Sequence, residues 1–548
     1  MNLIDVNNPH FYITIALSIL NSVMLCFAAY KFLQAIQLAG YRIVGYFYWL
    51  KDTRAKYVSR LFMLSFLSIC FLLVTNVLFN SYINGANYYA YISLIFYFYL
   101  SIIFILNMYS VPKKTPLKYT KRMTRLVVTF FILNSVLTFF LIAFFWGLSN
   151  IFNFAVVAVT PLLIPITVLL VHIIITPLEE LIKLMFMFRA KKRLKKRKDL
   201  IKIGITGSFG KTSTKYILNT LLSQKYNVCM SPNSFNTPMG LTKVINAYLK
   251  QDHEVLIAEM GAKQKGEIKY LCNFVKPDHG ILTAVGNQHL ETFGSLETIK
   301  KTKYELIESL NNQSYAVFNA DNKYVNELYK KTKLKNKLYV ALNDDNAFVT
   351  AKNVKVNHSG SEFDIVIKGK NAFKVTTLLL GTHNIENILM AVSLSYKLGL
   401  TINQIKKGIK MLVSVPHRLE LTKTNNGVTI LDDSFNASIE GSKRALEVLK
   451  LFEAGKKIVM TPGLVELGKY DYEENFEFAK RIAKVADKCI VVNLAYQKPL
   501  NEGLIAGGFK KENIILAENL EEAKQKLSDI LNNGDVLLIE NDLPDTYT

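Results

Sequence analysis

A chain of 548 residues has room for three or four domains. It carries 66 Lys and Arg against 43 Asp and Glu, a net charge of +23; 21 of the basic residues but only 5 of the acidic ones fall within positions 1–200, beside long apolar runs. Charge placed in that way reads as membrane topology and contact with anionic lipid. No aromatic-basic stripe offers a groove, so nucleic acid is not expected as a partner. Cys26, Cys70, Cys229, Cys272 and Cys489 form no CxxC pair, so neither a disulfide framework nor a structural zinc site is expected. They read as buried or free thiols in a reducing compartment.

Five apolar stretches are long enough to span a bilayer: 11–30, 61–79, 89–108, 126–146 and 152–175. The first lacks the N-terminal charge and nearby cleavage site of a secretory signal. The loop after the first stretch carries Lys31, Arg42, Lys51, Arg54, Lys56 and Arg60, and the loop after the third carries Lys113, Lys114, Lys118, Lys121, Arg122 and Arg125. The segment before Phe11 and the turns at 81–87 and 148–151 have no Lys or Arg. Positive loops stay in the cytoplasm. The expected topology is a multi-pass membrane domain over 1–177 with the N-terminus outside and everything after 175 inside, where ATP is. His172 and the pair Pro161 and Pro165 lie in the last stretch; an interfacial place is the commoner one for such a histidine. Residues 178–199 follow, with an apolar stripe of Leu181, Ile182, Leu184, Met185 and Phe188 and eight basic residues between Arg189 and Lys198. They read as a basic amphipathic juxtamembrane helix on the inner leaflet, or as a solvated charge run that marks the linker.

The pattern then changes to alternating strands and helices, a soluble α/β arrangement. Residues 204–216 read GITGSFGKTSTKY, between the strand-like 200–205 and a helical pattern over 213–222. Glycines let backbone N–H groups converge on one concavity, and a helix N-terminus adds positive dipole, both suited to a phosphate. The core is a short GxxGKT form, and the nucleotide-binding set is Gly207, Ser208, Phe209, Gly210, Lys211, Thr212 and Ser213. Lys211 can reach outer phosphates and the Thr212 hydroxyl can ligate Mg2+. Further polar residues stand where strands end: Glu259 closes VLIAEM, His289 follows ILTAVGNQH, Asn319 closes YAVFNAD, Asn384 and Asn387 open a helix in GTHNIEN, and Arg418 lies in PHRLE. Lys303 lies fourteen residues after His289 on a helical stretch beside Lys300 and Lys301, where an exposed surface lysine is the plain alternative. In a mostly parallel sheet such positions gather at the carboxyl edge, where ligands bind.

In this order the stretches ITGSFGKTS, NSFNTPMGL, AEMGAKQKGEI, HLETFGSLE with KTKYE, FNAD, GTHNIEN, DDSFNAS and LVELG resemble the Mur ligase family over residues 200–470, in particular the branch that joins D-alanyl-D-alanine to a muramoyl-tripeptide precursor. The resemblance implies a central ATP-binding domain over 200–415 and a Rossmann-like C-terminal domain over 416–548 that takes the incoming amine. It implies ATP-dependent amide formation through an acyl phosphate, with ATP and Mg2+ as cofactors. Lys211, His289 and Lys303 would carry the chemistry, and Thr212, Glu259, His289 and Lys303 would hold metal, Lys303 as a carbamate. Asn319, Asn384, Asn387, Arg418 and Asp433 would contact the nucleotide. The expected partners are the bilayer, a UDP-linked or lipid-linked cell-wall precursor, an amino acid or dipeptide, and membrane proteins of cell-wall synthesis, all at a bacterial cytoplasmic membrane.

The sequence departs from that family in three places. The apolar half stands where the family carries a domain that grips the UDP moiety, which favours a lipid-linked acceptor. The usual YNANP is Phe435-Asn-Ala-Ser-Ile439, and a KGS-like turn is replaced by Glu540-Asn-Asp542, so the identity of the amine stays open. Phe209 occupies a loop position where a small or polar residue is frequent. The four-cysteine ribbon of a related amidating ligase is missing, which disfavours that subfamily. A membrane-bound ligase making another polymer such as poly-γ-glutamate, and a non-catalytic nucleotide-binding scaffold, remain as alternatives.

Overall fold

The computed structural model describes residues 9–52, 56–82, 88–109, 116–145, 150–232, 234–288, 290–435, 438–465, 467–492 and 496–541. Arg54, Lys113, Lys114, Asp542 and most of the two uncharged turns lie outside these. The chain divides into two compact units, Met1–Leu184 and Met185–Thr548.

The first unit is helical: α1 (Pro9–Ala28), α2 (Tyr30–Leu38), α3 (Ile43–Asp52), α4 (Lys56–Tyr82), α5 (Tyr88–Tyr109), α6 (Lys121–Phe145), α7 (Asn150–Val159) and the start of α8 (Ile164–Lys196). Five helical segments are long and apolar enough to cross a membrane: His10–Ala28, Lys56–Leu78, Tyr91–Tyr109, Lys121–Phe145 and Phe152–Lys196. Phe144, Ile95 and Leu106 expose 81%, 70% and 65% of their surface, as lipid-facing side chains would. A 3-10 turn, Thr160–Leu163, breaks the last segment where Pro161 lacks an N–H for the helical ladder.

Two helices were not expected. α2 and α3 fill the stretch read as a charged loop, and Tyr30–Ile36 of α2 are all buried, Lys31 and Gln34 included. Phe32, Leu33 and Ile36 pack with Tyr46, Leu61, Met123, Phe130 and Val168. Net charge marked the loop, but its apolar residues recur often enough to build a packed face. Inside the bundle Asn21 donates to Thr160 (3.0 Å) and to Thr138 (3.4 Å), and accepts from the Tyr97 hydroxyl (2.8 Å). In an apolar medium these groups must find one another across helices. Arg125 grips the buried Glu179 with two bonds, 2.6 and 2.9 Å.

The second unit holds two sheets. In chain order the larger region comprises β1 (Ile201–Thr206), α9 (Lys211–Leu222), β2 (Val228–Met230), α10 (Pro238–Lys243), β3 (Val255–Glu259), α11 (Glu267–Val275), β4 (His279–Leu282), α12 (Leu290–Phe293), α13 (Leu296–Glu308), β5 (Ala316–Asn319), α14 (Lys323–Lys331), β6 (Lys337–Leu342), β7 (Val349–Asn357), β8 (Gly360–Ile367), β9 (Phe373–Thr377), α15 (Thr382–Lys397) and α16 (Ile402–Lys410). The sheet order is β2-β3-β1-β4-β5-β6-β7-β8-β9. It is parallel through β7, with β8 and β9 added antiparallel. α9, α15 and α16 cover one face and α11, α13 and α14 the other. Thr206, Glu259, Leu282 and Asn319 therefore end their strands on one carboxyl edge.

The second sheet uses β10 (Glu420–Lys423), β11 (Thr429–Asp433), β12 (Lys457–Thr461), β13 (Lys488–Val492), β14 (Ile514–Ala517) and β15 (Val536–Glu540), with α17 (Ile439–Leu449), α18 (Asp471–Ala483), α19 (Gln497–Ala506) and α20 (Leu520–Ile530). Its order is β10-β11-β15-β12-β13-β14, parallel except for β10.

The expected juxtamembrane helix over 178–199 is instead the tail of α8, which runs through Pro177 unbroken. The stripe expected to lie on lipid packs against no part of the chain's cores, with Leu181, Leu184, Met185 and Phe188 exposed. Another stripe, Met187, Ala190 and Leu194, is buried with Val244, Ile245, Leu249 and Phe274. Two basic residues also turn inward. Arg193 donates to the carbonyls of Asn246 and Leu249 (2.6 Å each), and Arg197 to those of Lys250 (3.0 Å) and His253. Both stripes have helical spacing, and only the tertiary contact decides between them. Leu194→Ala should therefore cost about 2–3 kcal/mol of unfolding free energy, and Phe188→Ala should stay within about 0.5 kcal/mol. Calorimetric melting of the detergent-extracted chain checks this; equal losses for the two variants would refute the docked face.

Candidate active site

The loop between β1 and α9 is held by its backbone and by neighbours on the β4 side. Ser208 N–H donates to the Ala284 carbonyl (2.7 Å), the Ser208 hydroxyl bridges Gly286 O and N (3.1 Å each), and the Thr283 hydroxyl donates to the Phe209 carbonyl (2.6 Å). A Cβ at Gly207 would lie 2.1 Å from Thr283 Oγ1, and Gly210, with φ 80°, starts α9 in the left-handed region. The first i→i−4 bond of α9 runs from Thr214 N to Gly210 O (2.9 Å). The N–H groups of Lys211, Thr212 and Ser213 precede it and have no intrahelical acceptor, which leaves them to an anion. Ser208 braces the loop with its side chain. Asn387 stands behind it, accepting from Thr214 Oγ1 (3.1 Å).

The Glu259 carboxylate, 1% exposed, is the centre of the site. Thr212 Oγ1 lies 3.2 Å from both its oxygens, Asn236 Nδ2 donates to Oε1 (3.1 Å), and Lys215 Nζ stands 3.0 Å from Oε2. Lys215 is 0% exposed. Lys211 folds over the loop and donates to Gly207 O (2.6 Å) and Ser208 O (2.8 Å). Burial draws its ammonium down to about 8; the Glu259 charge opposes this and Arg418 adds to it.

Lys303 is not the surface lysine of its cluster. Lys300 pairs with Glu297 and Glu327, Lys301 is exposed, and Lys303 is 2% exposed with Nζ 3.4 Å from the Ala262 carbonyl. Burial, and then the Lys211 charge, hold its amine well below the ordinary lysine range against the pull of Glu267 and Glu305. His289 lies outside the described residues.

The nucleotide-edge asparagines divide. Asn319 donates to Glu386 (2.8 Å), whereas Asn384 spends its amide on the Leu380 carbonyl (2.8 Å) at the start of α15. The second sheet contributes Arg418, whose guanidinium lies 4.7 Å from the Phe435 ring centre, and Asp433, which accepts from Leu419 N–H (3.1 Å). Asp433 is pushed up to about 6 by burial, although Arg418 pulls the other way. Arg444 of α17 reaches the first sheet: it stands 5.2 Å from the Phe209 ring centre and 3.4 Å from Glu386 Oε2.

Sequence reading missed Lys215, Asn236, Glu386 and Arg444. Lys215 lay one turn after Lys211 on the same helix face, and Asn236 lay inside the quoted NSFNTPMGL; either spacing was a usable signal. Glu386 likewise lay inside the quoted GTHNIEN, whereas Arg444 lay in no quoted motif.

The Mur ligase middle domain matches residues 205–395, and the Mur ligase glutamate ligase domain matches residues 417–540. The UDP-N-acetylmuramoyl-tripeptide–D-alanyl-D-alanine ligase of Bacillus subtilis is 32% identical over 277 residues, which are 50% of this chain and 58% of that protein. The chain thus spans little more than half the length of that relative. The Thermotoga maritima MurF ligase in complex with ADP superposes with a TM-score of 0.57 at 28% identity, over 65% of this chain and 80% of that one. A MurF structure from Acinetobacter baumannii gives a TM-score of 0.59 at 22% identity, over 66% and 78%. With the loop, the buried carboxylate and both sheets in the matched order, the chain belongs to the Mur ligase family.

Proposed function

We propose that this chain is an ATP-dependent, ADP-forming carboxylate–amine ligase acting on a cell-envelope precursor, with D-alanyl-D-alanine or a similar amino acid or dipeptide as the amine. The observation that carries the reading is the convergence of Lys211, Thr212 and the buried Glu259 at the mouth of an anion-binding loop, in a chain similar over both matched domains to ligases of that name.

The chemistry asks for two anions to meet. A substrate carboxylate attacks the γ-phosphorus of ATP, the β–γ bridging bond breaks, ADP leaves, and the acyl phosphate is then displaced by an amine with loss of phosphate. The barrier is mainly crowding of negative charge, so positioning and screening do most of the work. The three N–H groups that open α9 would take the phosphates, and the Lys211 ammonium would swing from the loop carbonyls to the transferred group. The donor set fits Mg2+: the Glu259 carboxylate and the Thr212 hydroxyl are hard oxygens held side by side, and Lys215 and Asn236 fix the carboxylate's orientation. The ion, when bound, would supply charge screening between triphosphate and acceptor. Lys303, whose amine burial holds well below the ordinary lysine range, is a suitable group to take up CO2 as a carbamate, which would add an anionic oxygen to this donor set.

The five apolar helices support a membrane location for the ligase, and the positive loops favour a cytoplasmic position for the catalytic domains. Five spans exceed what anchoring requires, and they favour a membrane-held, lipid-linked acceptor.

Four outcomes are expected. Lys211→Ala should lower ADP formation by at least about 100-fold, as loss of a transition-state charge donor does. ATP affinity of the unaltered chain should weaken as the pH rises through about 8, because bound phosphate favours the charged lysine; the variant should lose that slope. Near-normal turnover, or a slope unchanged in the variant, would refute the role of Lys211. Lys303→Ala should cut turnover sharply and recover in part with added short carboxylates; full activity with unchanged metal dependence would make Lys303 structural only. Finally, the full chain should use a lipid-linked precursor better than a fragment beginning at Met185, which keeps the docked tail of α8. Equal use of UDP-linked precursor by both, with no preference for lipid, would remove the substrate role of the spans.

A further inference from the structure

Among the described residues of the second unit, the buried carboxylates are otherwise all paired. Glu259 has Thr212, Asn236 and Lys215; Glu305 accepts from the N–H groups of Gly266 and Lys269 (2.9 Å each); Glu386 has Asn319 and Arg444; Asp535 accepts from Lys456 N and Asn532 N (2.8 and 2.9 Å). Glu540 is the exception. It is 0% exposed, and neither of its oxygens has a hydrogen-bond partner. An unpaired buried carboxylate is costly, by several kcal/mol in typical cases. A fold that keeps one is poorly explained by stability.

Its position is informative. β15 lies between β11 and β12 in the second sheet, and Glu540 is the register partner of Asp433 on β11, about 4.8 Å away between strand axes. Both side chains alternate with core residues of one cluster, Leu431 and Leu538, so both leave the sheet on the same face. Both stand at the carboxyl ends of parallel strands, where doubly wound sheets bind ligands. The backbone around them is pinned: Asn541 N donates to Asp433 O (3.2 Å), and Asn541 Nδ2 to Gly463 O (2.6 Å). Asp433 also joins this edge to the nucleotide site. Arg418 feels the charges of Asp433 and Glu259, and its own charge helps draw Lys211 down.

We infer that Glu540, with Asp433, forms a binding site for a primary ammonium, that of the amine substrate. This rests on the ligase reading above. An ammonium offers three donors. They match the two oxygens of Glu540 and the oxygen of Asp433 that does not take the Leu419 N–H. Burial, and then the Asp433 charge, push Glu540 well above the carboxylate range, and an incoming cation is what would let it ionise.

The test is direct binding to the full ADP-loaded chain, by calorimetry, of D-alanyl-D-alanine, of its N-acetylated form and of Mn2+ alone, for the unaltered chain and for Glu540→Gln. Retained ADP binding shows that the variant is folded. The expected result is that the free dipeptide binds, the acetylated one does not, and Glu540→Gln weakens the free dipeptide at least tenfold. In turnover, KM for the amine should rise by a similar factor with KM for ATP unchanged. The proposal is overturned if the unaltered chain does not bind the dipeptide, if the acetylated dipeptide binds equally well, if the variant binds as tightly, or if Glu540 governs only Mn2+. Turnover with an indifferent Glu540 would remove this site and leave the ligase reading. Binding that depends on Glu540, without turnover of any precursor, would do the reverse.

Discussion

The second unit is organised around one shared carboxylate. Glu259 ends strand β3 at 1% exposure and is held by a hydroxyl and an ammonium from α9 and an amide from the turn before α10. A charge that deep is tolerated only when its lone pairs are filled. That requirement ties α9, which brings Thr212 and Lys215, to β3 and to the turn carrying Asn236. It also orients the hydroxyl that stands beside the phosphate loop. The loop's own geometry follows from the same packing: Thr283 and Gly286 brace it from the β4 side, and Asn387 braces it from α15.

The second sheet also reaches this site through charged side chains. Arg444 bridges Phe209 on the phosphate loop and Glu386 on α15, and Glu386 in turn holds Asn319. Phe209 thus acquires a reason. An aromatic ring in that loop gives a guanidinium from the other sheet a face to rest on, an interaction a small residue would not provide. Arg418 rests its guanidinium on the Phe435 ring in the second sheet's own loop. Such contacts are directional and depend on ionic strength.

The apolar half shows a different solution to the same physical problem. Asn21, Tyr97, Thr138 and Thr160 satisfy one another where no water is expected, and Glu179 takes both arms of Arg125. α8 contributes to both units: its early residues, Val168 and Val171, pack in the helical core, and Met187, Ala190 and Leu194 pack in the α/β core.

The order of the chain was legible in sequence because it depends on local pattern. Unbroken apolar length marked five membrane-length helices, alternation of strand and helix marked the α/β half, and the glycines, Lys211 and Thr212 marked the anion loop with its family. What sequence left undecided were choices between equivalent local patterns. Two stripes on the tail of α8 have the same helical spacing, and only packing against Leu249 and Phe274 selects Ala190 and Leu194 over Leu184 and Phe188. Lys300, Lys301 and Lys303 are alike as letters, and burial alone makes Lys303 chemically distinct. Asn384 and Asn387 share a motif, yet one donates to the Leu380 carbonyl and the other backs the loop. The pairings of Lys215 with Glu259, Arg444 with Glu386 and Asp433 with Glu540 join residues 44 to 107 positions apart. Sequence by itself determined which elements form and which chemistry they carry, since both follow from neighbouring residues. Which side chains share a charge was decided by the tertiary structure, because electrostatic and packing energies depend on distance in space and not along the chain.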